Sequence, residues 1–99
     1  MLTVQWVQKQ ARHRVEINIS DGDGELLLEV LKLLVGTKDI GAKGILPRGR
    51  EVVLYDKDAK AFGAVENTQA TGLVGMPIHG DVLIISQGDY ARVFPHGVH

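Results

Sequence analysis

Chemistry in this chain would have to come from a few short stretches of polar residues. Asp21-Gly22-Asp23-Gly24-Glu25 is oxygen-rich in the manner of a calcium loop. A calcium loop of that type needs glycine at its sixth position and an acid at its twelfth. Counted from Asp21, those places hold Leu26 and Lys32. The cluster instead reads as a helix cap, with acids favouring the positive end of the helix dipole. Gly41-Ala42-Lys43-Gly44 lacks both the Gly-x-x-x-x-Gly-Lys-Ser/Thr spacing and the strand-to-helix context of a phosphate loop, so it reads as a flexible basic loop. His79, His96 and His99 show no short paired spacing for a metal, and His13 near the first turn needs no role. The serines, Ser20 and Ser86, sit in no nucleophile elbow. With no cysteine, thiol catalysis, a thioester site, disulfides and cysteine-ligated zinc are excluded for the chain acting alone. The expectation is a protein that is not an enzyme and holds no metal or cofactor.

Charge narrows the partner class. The 99 residues carry a net charge of -1, which argues against a domain devoted to phosphate backbones. A local basic set exists in Lys38, Lys43, Arg48 and Arg50, but aromatic content is 5% and no stacking platform accompanies it. No nucleic-acid role is therefore expected. The opening Met1-Leu2-Thr3-Val4-Gln5 does not read as a signal peptide. The longest apolar stretch, Leu26 to Val35, is broken by Glu29 and Lys32 and falls short of the ~20 residues that span a bilayer. A cytoplasmic protein without membrane insertion is the plain expectation.

The elements that must position these residues follow from periodicity. Leu2, Val4 and Trp6 alternate with Thr3 and Gln5, and Val15, Ile17 and Ile19 alternate with polar neighbours. Two strands with one wet face each follow, joined as a hairpin by the polar Gln8 to Arg12. Glu25, Glu29 and Lys32 form a narrow polar stripe on an otherwise apolar helix from about Glu25 to Val35, which Gly36 would stop. Residues 37–50 read as loop. Val52 to Tyr55 is a strand ended by the charged turn Asp56 to Lys60, and residues 61–79 look irregular, with a short strand expected at Ala61 to Val65 and a tight structure around Gly72 to Pro77; Val82 to Ile85 is a last strand. The predicted order is strand, strand, helix, strand, variable segment, strand. Placing the first and last strands side by side gives every apolar face a cover and makes this an α+β domain of four to five strands around one main helix. Leu27, Val30, Leu31 and Leu34 are its expected core, with Val4, Val15, Ile17, Val53 and Ile84.

Together, the N-terminal amphipathic hairpin, the acid-capped helix, Val52-Val53-Leu54-Tyr55 before a charged turn, and the close Gly75-Met76-Pro77-Ile78-His79-Gly80-Asp81-Val82-Leu83-Ile84-Ile85 resemble the ubiquitin-like β-grasp superfamily. The resemblance covers residues 1–86 and leaves 87–99 as a C-terminal tail. It is similar both to small bacterial ubiquitin-like proteins associated with type VII secretion and to ubiquitin-like modifiers. It implies a mixed sheet wrapped around one main helix, and a non-enzymatic protein that works through protein partners.

Strict alternation combined with that resemblance points Leu54, Leu83 and Ile85 to the outer sheet face as a partner-binding patch. The tail ends Phe94-Pro95-His96-Gly97-Val98-His99 without Gly-Gly. The modifier branch therefore implies conjugation through Gly97 after loss of Val98 and His99, served by an activating enzyme or isopeptidase. A third reading, carried by the surplus apolar surface, is a structural subunit of an oligomer of identical copies or of a larger complex. Residues 91–99 are expected to be mobile unless Tyr90, Val93 and Phe94 anchor them on that apolar surface.

Overall fold

Alternating apolar residues at the N-terminus build the hairpin they predict. The computed structural model describes residues 2–8, 11–20, 22–35, 39–45 and 50–97. Strand β1 (Leu2–Val7) pairs antiparallel with β2 (Arg12–Ile17), in register from Leu2↔Ile17 to Val7↔Arg12. Helix α1 (Gly24–Leu34) follows, and its cap is Asp23, whose carboxylate accepts the Leu26 N–H at 3.3 Å. Glu25 lies in its first turn and Lys32 in its last, each matched to the dipole at its own end. The expected cap residue Asp21, the stop at Gly36, and Lys38, Pro47, Arg48, Val98 and His99 lie outside the described residues.

Beyond the helix come β3 (Ile40–Gly44), β4 (Glu51–Asp56), α2 (Thr68–Val74), β5 (Val82–Ser86) and α3 (Gln87–Val93). Two of these correct the sequence reading. The stretch expected to be loop contains β3, an edge strand whose glycines hide it from propensity. Gly41 pairs with Tyr55, and a Cβ at that glycine would collide with the Tyr55 ring, so the aromatic side chain occupies the space a larger residue would take. Within the expected irregular stretch stands α2, and the short strand expected at Ala61 to Val65 is instead the end of a turn, closed by the Ala64 N–H donating to the Ala59 carbonyl. Helix α2 is capped by the Asn67 side chain accepting from Ala70 N–H, and ended by Gly75 in the left-handed region at φ 81°.

The five strands lie in the order β2-β1-β5-β4-β3, so the first and last strands are neighbours, as expected. Every described pairing is antiparallel, including β1 with β5, which corrects the expected mixed sheet. The reason lies in the connection from β4 to β5. Residues 57–81 leave and re-enter the sheet at the same end, where Leu54 pairs with Leu83 and Val7 with Val82. Asn67 ties this segment there by donating to the Val7 and Gly80 carbonyls, each at 3.0 Å. A parallel partner would have needed a crossover running the length of the sheet.

At β4 and β5 both sheet faces are covered, and this decides the register. Cross-strand partners share a face, so Trp6↔Leu83 and Leu54↔Leu83 put Leu54, Leu83 and Ile85 on the same side as Leu2 and Val4. There they are buried against Leu27 and Leu31 of α1 and Val93 and Phe94 at the end of α3. The outer-face patch expected from Leu54, Leu83 and Ile85 is thus corrected: all three belong to the intramolecular core under the helix. Val53 and Ile84 lie in the opposite core, with Val7 and Val82, under Ala70, Val74 and Ile78. Strands β4 and β5 are apolar on both faces, so alternation fixes the parity of their side chains but not which parity meets α1. Only the pairing with β1 settles it.

The expected α1 core holds at Leu27 and Leu31, which are fully buried, while Val30 and Leu34 are half-buried. After Ser86 the chain turns at once into α3, where the Ser86 hydroxyl accepts the Asp89 N–H at 3.1 Å. Phe94 and Val93 are buried, Tyr90 packs beside them, and Gly22 N–H donates to the Arg92 carbonyl at 2.7 Å. The three expected anchors thus bind the C-terminal segment to the start of α1.

Candidate interaction surface

The turn after β4 is built by its own backbone. Asp56 accepts the Asp58 N–H through its carboxylate at 2.8 Å, and Phe62 N–H donates to Asp58 and Ala59 carbonyls. Gly63 takes a φ of 82°, which closes the turn and lets Ala64 N–H reach the Ala59 carbonyl at 3.0 Å. Ala59 is buried beneath it, close enough to Gly80 that a Cβ there would meet its methyl at 3.5 Å. The consequence is a well-held platform that points Phe62 into solvent at 81% exposure and Val65 at 63%. Large apolar side chains held outward on a hydrogen-bonded turn are unlike the single exposed residues scattered over any surface.

Beside this platform lies a cleft of about 350 Å³. Met76, Pro77 and Ile78 contribute its apolar wall, and Tyr55, Asp56, Lys57, Lys60 and His79 the polar lining, with the Asp56 carboxylate engaged by the Asp58 N–H. Lys57 reaches Asp39 at 3.9 Å, and His79 Nδ1 lies 3.0 Å from the Ala64 carbonyl. The bond from His79 and an isolated bridge between Glu66 and His79 fasten the turn to the segment that precedes β5. The apolar wall, with Lys60 at the rim and exposed Phe62 two residues further on, suits a peptide with an apolar anchor and an acidic residue beside it.

The remaining candidates resolve into structural parts. Ser86 and Asp23 are helix caps, and Glu25 is an exposed first-turn acid. Lys43 and Arg50 are exposed, on β3 and just before β4. Gly41 to Gly44 form β3, so the phosphate-loop pattern is a strand. Among the described residues no three His, Asp or Glu side chains gather as a metal site, and no helix is long and apolar enough to cross a membrane. Gly97 ends the described tail at φ 83°, its N–H donating to the Phe94 carbonyl at 3.0 Å. A second exposed apolar site lies on α1, where Leu33 is 85% exposed and Leu26, seven residues earlier on the same face, is partly so.

Sequence reasoning missed Phe62 and Val65 because Ala61 to Val65 reads as a short strand, whereas its first three residues complete a turn. The usable signal was the sequence Asp58-Ala59-Lys60-Ala61-Phe62-Gly63, a tight turn ending in glycine with an aromatic at its tip. Comparison with protein-family models, with curated proteins and with solved structures found no match.

Proposed function

We propose that this chain is a non-enzymatic protein-binding module whose binding site is the turn carrying Phe62 and Val65 together with the adjoining cleft. The observation that carries the reading is the outward projection of two large apolar side chains from a turn whose backbone is tied at Asp56, Ala59 and Gly63. A turn fixed in this way loses little conformational entropy on binding, so its apolar contact area converts more fully into affinity. Lys60 on the cleft's rim, with Lys57 already facing Asp39 and Asp56 engaged by its own turn, favours a partner segment with an acidic residue beside an apolar anchor.

The ubiquitin-like β-grasp relationship belongs to this proposal and is supported by the N-terminal hairpin, the capped helix that follows it, and the adjacency of first and last strands. The antiparallel pairing of β1 with β5 and the helix covering each face depart from it. The binding role is accordingly rested on the turn and cleft, not on ancestry. The test is co-purification from the protein's native cells with the wild type and with Phe62→Glu, Val65→Glu and Lys60→Glu. Each variant alters an exposed side chain and should keep the wild-type melting temperature. A partner retained by wild type and lost from Phe62→Glu supports the site, and an unchanged set of partners across all three variants removes it.

A further inference from the structure

We infer that the chain forms a two-fold symmetric dimer by pairing β2 with β2 of a second copy, joining two five-stranded sheets into one. Strand β2 ends the sheet, contains neither glycine nor proline, and pairs with β1 over six consecutive residues without a bulge. Such an edge is open to another strand unless its side chains forbid it.

The backbone pattern determines which residues would meet a partner. Gln8 N–H donates to the Ala11 carbonyl at 2.8 Å, making Gln8 and Ala11 a hydrogen-bonded pair. Alternation along an antiparallel ladder then directs His13, Val15 and Ile17 toward β1. The N–H and C=O groups of Arg12, Arg14 and Glu16 are left pointing off the edge. A second copy related by a two-fold axis across the sheet must pair these residues with their own counterparts.

Charge selects among the registers. Pairing Arg14 with itself, Arg12 with Arg14, or Glu16 with itself sets like charges directly opposite, which is unfavourable. Among registers that keep most of β2 paired, one avoids every such clash: Arg14 opposite the partner copy's Glu16, and Glu16 opposite its Arg14. That same register places Val15 against Val15 on the α1 side and His13 against Ile17, covering a half-buried valine. Within one chain Arg14 and Glu16 are 3.5 Å apart with side chains 73% and 54% exposed, a surface pair that contributes little and is readily exchanged for two pairs between copies. At the other edge, β3 carries Lys43 with no acid to meet it and two glycines.

The experiment is sedimentation equilibrium of the full chain over a range of concentrations, with the fold of each variant checked by circular dichroism. The expected mass rises toward twice the 10.8 kDa of one chain. Arg14→Glu and Glu16→Arg should each remain monomeric, because each sets like charges across the new ladder. Mixing those two variants, or combining both changes in one chain, restores opposite charges at every position of the inferred register and should restore the dimer. Hydrogen exchange at the Arg14 and Glu16 amides should slow with concentration. A wild type monomeric at millimolar concentration, or a dimer indifferent to both single changes, overturns the inference. A double change that stays monomeric overturns the register.

Discussion

Replacing Asn67 by alanine should destabilise the fold more than any other single polar truncation among the described residues. Its side chain is 1% exposed and makes three hydrogen bonds: from its amide to the Val7 and Gly80 carbonyls, and from Ala70 N–H to its oxygen. These bonds join the end of β1, the start of α2 and the entry to β5. Loss of the cap costs about 0.5–2 kcal/mol. Each buried carbonyl left without this donor adds roughly 1 kcal/mol, taken at the low end because a carbonyl has two lone pairs. The sum, with a small cavity, is about 3–4 kcal/mol, a large share of the ~5–15 kcal/mol typical of a small domain. At ~4–8 °C per kcal/mol for a chain of this size, the melting temperature should fall by at least about 12 °C. Asn67→Ser keeps a capping oxygen and should lose about half as much. Asn67→Asp keeps the cap but turns an oxygen toward two carbonyls. Losing both amide donors, it should be destabilised at least as much as Asn67→Ser. Thermal and urea unfolding of the three variants measure this directly. A shift below about 4 °C for Asn67→Ala would refute the view that this side chain holds β1, α2 and β5 together.

Three further outcomes follow from the packing. Leu54→Ala and Leu83→Ala should each cost about 2–5 kcal/mol in urea unfolding, because both fill the core beneath α1; exposed positions would lose under ~0.5 kcal/mol. Phe94→Ala should cost about 3–5 kcal/mol and accelerate hydrogen exchange at Gly22 N–H, whose acceptor is the Arg92 carbonyl. Gly41→Val should lower the melting temperature through collision with the Tyr55 ring, and the double change with Tyr55→Ala should recover part of the loss.

The parts of the fold legible in sequence are those where one face is apolar and the other is not. β1 and β2 alternate cleanly, and α1 announces itself by its acid cap and its polar stripe at Glu25, Glu29 and Lys32. The central strands were legible as strands yet not as faces: Val52 to Leu54 and Val82 to Ile85 are apolar throughout, so their register depends on non-local pairing with β1. β3 was hidden by Gly41 and Gly44, residues that pair only because β4 supplies Tyr55 as cover. Helices α2 and α3 have seven residues each, too few turns for periodicity to speak, although Asn67 before α2, Gly75 after it and Ser86 before α3 are cap residues readable in retrospect. The candidate site was the least legible of all. Phe62 and Val65 are exposed only because the turn beneath them is closed by Gly63 and seated on Ala59.

Photo-crosslinking in native cells shows whether a partner binds at this turn. A photoreactive residue replaces Phe62 in one chain, Val65 in a second and the exposed Arg50, on a separate loop, in a third. Binding at the turn gives one discrete higher-mass adduct at positions 62 and 65, absent at 50 and weakened by Lys60→Glu. Adducts equally abundant at all three positions, or none at 62 and 65 with the protein present at native levels, would contradict it.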